Sequence, residues 1–287
     1  MLGKKQEQRT EENSTAIQAG RDVNLNQNNG LMFSEVKELC LLFLRDNFPA
    51  LRDEAVREAQ SNVEIFATKL ESELAHKIGS IALEKFRDPD VQAMINDAVQ
   101  ASARKGVKAN PSVLIDLISE RASIANDDFK DIVLSEAVLV VPKLTNAQIS
   151  YLSFIHFMTS CSIGGISHIS ELEHHSKLAL TAVSLGFNLS DSQKKHIQYA
   201  GACSIASMMH VDIYDGWSNT YKDLGYKSKE EFKIDIDKYC PITKTLLEQF
   251  EENGVSGQVT LTSVGQAIAI AHLSKSIGHL DYSIWIN

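Results

Sequence analysis

Three groups of side chains in this sequence have the types and spacing that chemistry requires. The first is His210, Asp212 and Asp215 in HVDIYDGW, where imidazole and carboxylate groups stand close enough for acid–base work or for a metal ion. Tyr214 and Trp217 belong to the same stretch, and Asp215-Gly216 is equally a turn that would fold those two aromatic rings onto the body. The second group is His168, Glu171, His174 and His175. His168, Glu171 and His175 recur at steps of three and four, so one helix flank would carry nitrogen and carboxylate ligands of the kind zinc takes. The third is the Glu-x-x-His spacing of Glu171 with His174, repeated by Glu73 and His76, which a dinuclear carboxylate-bridged site uses. With 20 glutamates and nine histidines in 287 residues such pairs also arise by chance, and solvated helix edges account for them equally. No cofactor is therefore assigned, a metal is left open with His168, Glu171, His174 and His175 as its candidates, and no catalytic residue is assigned.

Other chemistries lack a motif. There is no GxSxG elbow, and none of the cysteines Cys40, Cys161, Cys203 and Cys240 sits in a nucleophile context. All four lie in or beside apolar runs without a CxxC pair, as buried reduced thiols would. No GxxxxGK[ST] loop or GxGxxG turn occurs, so ATP and dinucleotide binding have no sequence support.

The elements that must position these residues are mostly helical. A net charge of -9 and 44% hydrophobic residues fit an ordinary globular chain and give no strong nucleic-acid signal. No run of 18 apolar residues and no apolar leader is present, which reads as a cytoplasmic protein without a transmembrane segment. Helices are expected at 35–47 and, after a break at Pro49, over about 51–86, where Val56, Val63, Phe66, Leu70 and Leu74 repeat at helical spacing. Further helices are expected from Asp88-Pro89, from Asn110-Pro111, from Asp127 with a buried run Ala137–Val141, and from Thr145. Beyond the Gly/Ser stretch at 160–167, helices are expected at about 168–186, 190–210, 228–238 and 242–253. A short strand at 257–262, a final helix to about Ser276 and a terminal strand at 282–286 close the sequence. The domain reading is a disordered tail at 1–13, a β element at 14–30, a helical domain at 31–160 and a second helical lobe with a small β tail at 161–287.

The β element is STAIQAGRDVNLNQ, in which Ile17, Ala19, Val23 and Leu25 alternate with polar residues and Gly20 marks a bend. A ribbon this short is not stable alone in water. Either it pairs with the late strands, or copies from several subunits stack on one another. The second is the reading adopted, with Ile17, Ala19, Gly20, Val23 and Leu25 as the oligomerisation residues.

TAIQAGRDVNLNQ resembles one coil of the β-helical repeat of filamentous haemagglutinins, and a single coil per chain would have to stack between protomers. The wider layout resembles an uncharacterised bacterial family with an IQAGxDVN strand, a helical body and an ending like LTSVGQAIAIAHL and YSIWIN. That resemblance implies a place in anti-phage conflict systems. GQVTLTSVGQAIAIAHL is also similar to the strand-to-helix element of winged-helix domains, although Lys244 and Lys275 are the sparse basic residues around it. The expected fold class is mainly α: a helical bundle with an N-terminal oligomerising β-strand and a small winged-helix-like α+β C-terminal part. The expected function is a cytoplasmic homo-oligomeric sensor or scaffold in antiviral defence, acting by protein-protein interaction. Its partners would be itself and an effector protein or phage component. The alternatives are a metal-dependent hydrolase using a His/Asp cluster and a peripheral lipid or phage-component binder.

Overall fold

A computed structural model describes residues 33–77, 79–124, 127–206, 211–252 and 258–286. Residues 1–32, with the β element and its five apolar or glycine positions, lie outside the described residues, as do the side chains of 33–51. The chain forms two units, Met1–Glu54 and Ala55–Asn287. Within the first, the described backbone is helical from Phe33 onward.

The architecture is mainly α. Eleven α-helices are present among the described residues: α1 (Phe33–His76), α2 (Pro89–Lys105), α3 (Pro111–Arg121), α4 (Asp128–Val140), α5 (Asn146–Ser160), α6 (Glu171–Val183), α7 (Asp191–Tyr199), α8 (Ile213–Thr220), α9 (Lys229–Tyr239), α10 (Pro241–Glu252) and α11 (Ser263–Ile277). The start signals act as their chemistry requires. Asp88, Asp127, Thr145, Ser190, Ser228 and Thr262 each place a side-chain oxygen on an amide of the first turn. Thr145 with Gln148, and Ser190 with Gln193, complete capping boxes.

The core of the second unit is built on α5 and α11. Both are apolar on nearly every face, so neither has a side to give to water. Gln148 to Met158 are buried throughout, as are Val264, Gly265 and Ala267 to Ala271. α11 packs against α5, α4, α6 and α3. One apolar cluster runs from Phe66 to Ile286, and the Gly/Ser stretch at 160–167 lies within the second unit.

The sheet among the described residues is one antiparallel pair, β1 (Cys203–Ile205) with β2 (Val259–Leu261), in register Cys203↔Leu261, Ser204↔Thr260 and Ile205↔Val259. β1 falls where a single helix over 190–210 was expected. α7 ends at Tyr199, and Gly201, at φ 88°, turns the chain in a conformation open to glycine at little cost. The hydroxyl of Thr262 donates to the Gly201 carbonyl at 2.7 Å, tying β2 to that turn. The strand-to-helix passage at 259–277 is present, but α11 is a core helix, with no open face for reading a groove.

Other expectations need correction. The helix break at Pro49 does not occur, since α1 runs through it with the loss of one amide donor. The pattern over 51–86 is cut at His76; Ile81 instead makes an isolated bridge to Ser123, and Leu83–Arg87 is a 3-10 turn. Within Ala137–Val141, Leu139 is exposed because it falls on the outer side of α4. Tyr282–Ile284 is a 3-10 turn and not a strand: the Asp281 carboxylate caps it, and the Tyr282 and Trp285 side chains bond into the body. Among the described residues no helix is long and apolar enough to cross a membrane.

The position of α11 yields a test. A Cβ on Gly265 would lie 1.8 Å from the Ala202 carbonyl oxygen, a backbone atom that cannot rotate away, whereas one on Gly164 would meet nothing within 4 Å. Gly265→Ala is expected to cost about 3 kcal/mol or more, beyond the usual range for overpacking, and Gly164→Ala to change stability little. Urea unfolding of the two variants measures the difference.

Candidate functional site

The residues that sequence singles out are held apart by their own local bonds. Asp212 begins α8: its Oδ1 accepts from the Asp215 amide at 2.9 Å, and its Oδ2 from Lys229 Nζ at 2.6 Å. The hydrogen bond and charge of Asp212 hold the Lys229 ammonium above its ordinary pKa. Asp215 Oδ2 accepts from the side-chain Nδ2 of Asn219 one turn on. Trp217 is buried, donating from Nε1 to the Met158 carbonyl at 2.8 Å, and Tyr214 is buried beneath Lys233, whose ammonium lies 4.4 Å from its ring centre. The expected loop at 212–219 is thus a short helix anchored by two aromatic side chains. His210 lies outside the described residues.

His168, Glu171, His174 and His175 share one helix start without converging on a point. The Glu171 carboxylate accepts from the amides of Ser167 and His168 at 2.8 and 2.9 Å, and these bonds lower its pKa. His168 Nδ1 contacts the Ser170 hydroxyl, and His175 Nδ1 faces the Glu171 carbonyl. The rings of His174 and His175 stand edge to face at 5.5 Å. Of the Glu73/His76 pair, Glu73 bonds Lys77 at 3.0 Å instead. Among the described residues no group of three His, Cys, Asp or Glu side chains is gathered to hold a metal ion.

Beside His168 opens a cavity of about 420 Å³, whose lining includes Tyr226, Glu231 and Asp235. Its acids are already engaged. Glu231 Oε2 accepts from the Lys227 amide at 3.0 Å, and Asp235 Oδ2 accepts from the Tyr226 hydroxyl at 3.1 Å. Burial, aided by Asp235, pushes the Tyr226 phenol up to about 12. Such a cleft can receive a hydrogen-bonding ligand.

Sequence reasoning missed three buried polar features. Glu173 reaches across to cap α10, accepting from the amides of Ile242 at 2.9 Å and Thr243 at 3.1 Å. Asp116 receives Lys77 Nζ at 2.9 Å and the Tyr282 hydroxyl at 2.8 Å. Burial alone would lower the Lys77 pKa, but Asp116 and Glu73 outweigh it and raise the value. Burial and the Asp116 charge both keep the Tyr282 phenol protonated, so it donates. These partners are 69 and 166 residues apart, beyond the reach of any local motif. The third is His156, fully buried in α5, with neither ring nitrogen hydrogen-bonded among the described residues and its ring edge-on to Trp285 at 4.8 Å. Nothing local distinguishes it from the apolar residues around it. The cysteines Cys203 and Cys240 are buried and free, and burial pushes both thiols up to about 11, where they are inert at neutral pH. Cys161 is also free, its thiol raised to about 12 by burial.

His156 makes stability depend on pH in a defined direction. Burial lowers its pKa from 6.5 to about 4, so the folded chain keeps the ring neutral while the unfolded chain protonates it first. The unfolded state then binds more protons between these values, and stability falls as pH drops from about 6.5 towards about 4, by on the order of 3 kcal/mol. His272, hydrogen-bonded through Nδ1 to Ser153 at 2.9 Å and also lowered to about 4 by burial, acts in the same direction. His156→Leu is expected to flatten part of this slope and to be more stable than the parent at pH 5, by roughly 1–3 kcal/mol. Chemical unfolding at pH 5 and pH 7.5 checks both statements.

No curated protein and no solved structure matches the chain. A family model does, over residues 30–228 and 222–286, and its designation, ":-like", names no activity or ligand. The match begins beyond the Ser14–Gln27 segment and covers the whole helical body. The chain belongs to this uncharacterised family.

Proposed function

We propose that this chain is a homo-oligomeric sensor or scaffold of bacterial anti-phage defence, acting in the cytoplasm by binding and not by catalysis. The observation that carries the assembly reading is the exposed apolar surface of α1. Val56, 48% exposed, lines with Ala59, Gln60, Val63, Glu64 and Ala103 a hollow of about 520 Å³, and Ile65, 50% exposed, lies on the opposite side of the helix. Apolar side chains left in water on a helix favour a partner surface. The partner proposed is a second copy, because α1 follows soon after the alternating segment at 14–27, which itself needs sister chains to cover its apolar side. Binding in place of catalysis is supported by the engagement of Asp212, Glu171, Glu231 and Asp235 in caps and side-chain bonds. The defence setting and an effector or phage component as partner rest on the family resemblance of the two ends of the chain.

Light scattering of the purified protein tests the assembly. The full chain is expected to run as a multimer, and a chain lacking residues 1–30 as a smaller species. Val56→Glu with Ile65→Glu is expected to weaken association at least tenfold, since each apolar side chain kept from burial forfeits about 1.5–3 kcal/mol. A monomeric full-length chain would overturn the reading.

A further inference from the structure

The end of α2 and the entry to α5 form a groove whose charge opposes that of the chain. Arg104 and Lys105 come from the last turn of α2, Lys108 from the 3-10 turn Gly106–Ala109, and Lys143 from the 3-10 turn that leads to α5. All four line a cavity of about 820 Å³ in which Glu58 is the single carboxylate-bearing residue. Arg104, Lys105 and Lys143 also line an adjoining hollow of about 280 Å³.

The pairing of these cations sets them apart. Lys77, Lys85, Lys130, Lys229 and Lys244 each sit on a carboxylate. Arg104, Lys108 and Lys143 are exposed and have no ion-pair or hydrogen-bond partner among the described residues. Lys105 donates to the Pro142 carbonyl, which fixes its stem at the groove wall. In a chain with 37 acidic and 28 basic side chains, the groove has Glu58 and the adjoining hollow Asp97 as carboxylates, against four clustered cations. Like charges held together repel one another, a cost that an arriving anion reverses.

The backbone reinforces the charge. Thr145 and Asn146 at the groove belong to the start of α5, whose 15 residues direct the positive end of the helix dipole there. Gly106, at φ 53°, makes the turn that sets Lys108 beside Arg104; a Cβ there would meet Asn62 Oδ1 at 2.8 Å. Val107, 77% exposed at the rim, offers an apolar contact. Four cations around a space of this size exceed what one carboxylate can use. An arginine fork with lysines matches the several oxygens and multiple charges of linked or clustered phosphoryl groups.

We propose that this groove binds a polyphosphoryl group, carried on a soluble molecule or on a multiply phosphorylated lipid headgroup. It supplies the proposed sensor with a ligand class, and its argument is independent of how copies assemble. The lining residues come from three separated segments, which is why no contiguous phosphate motif marks them.

Titration calorimetry with inorganic triphosphate on the full-length chain is the first test, with ATP and vesicles of phosphatidylcholine with or without phosphatidylinositol bisphosphate as further probes. Saturable binding to triphosphate or to the bisphosphate vesicles is expected. It should weaken tenfold or more in Arg104→Ala/Lys143→Ala and fall with added salt, while Lys195→Ala/Lys222→Ala, which removes two exposed cations elsewhere, leaves it unchanged. Preference for ATP over vesicles assigns a soluble carrier, and the reverse assigns a headgroup. Absence of saturable binding to every probe, or equal loss in the two double variants with unfolding midpoints intact, would overturn the proposal. Oligomer size measured on the same samples separates this outcome from failure of the assembly reading.

Discussion

The approach of Gly265 to the Ala202 carbonyl oxygen governs how deeply α11 enters the second unit. With hydrogen as its side chain, the first turn of α11 can lie against the backbone that leads into β1. That contact lets the Thr262 amide donate to the Ala202 carbonyl at 3.2 Å and the Thr262 hydroxyl to Gly201, so cap, turn and strand pair close together. Once seated, α11 offers apolar side chains to α3, α4, α5 and α6 at once, and those helices take their places around it. The dense packing of protein interiors makes such a centre intolerant of even one added methyl group.

A second constraint is polar. Buried charges are costly unless paired, and here the pairs act as cross-links between distant segments. Asp116 joins the end of α1 to the C-terminal turn through Lys77 and Tyr282, and Arg121 gathers Asp90 and Asp131 from α2 and α4. Glu173 caps a helix other than its own. Among the described residues His156 has no such partner and packs edge-on against Trp285, a penalty that the surrounding apolar contacts must cover.

Legibility from sequence followed the range of the interaction. Asp88-Pro89, Asp127 and Thr145 mark true helix starts because capping is decided within four residues, whereas at Asn110 the side chain donates to the Leu144 carbonyl and Pro111 at the first turn marks the start. The mainly α class was equally plain from helical spacing. The strand at 203–205 was hidden, since its partner lies beyond residue 258 and its small residues suit a helix as well as a sheet. The terminal YSIWIN alternates like a strand, yet the hydrogen bonds of Tyr282 and Trp285 to Asp116 and Ser160 decide its shape. In the candidate site, residue types are legible and their neighbours are not. Whether a carboxylate caps, pairs or faces an open cleft depends on neighbours such as Lys229, which the local sequence around Asp212 does not reveal.

The intimacy of α5 with α11 also has a consequence in time. Ser153 and His272 bond to each other across 119 residues of chain. During synthesis at about 5–20 residues per second, the apolar surface of α5 waits on the order of ten seconds for the helix that covers it. The emerging polypeptide therefore passes through a period in which the apolar surface of α5 is open to whatever else is near, before α11 takes its seat.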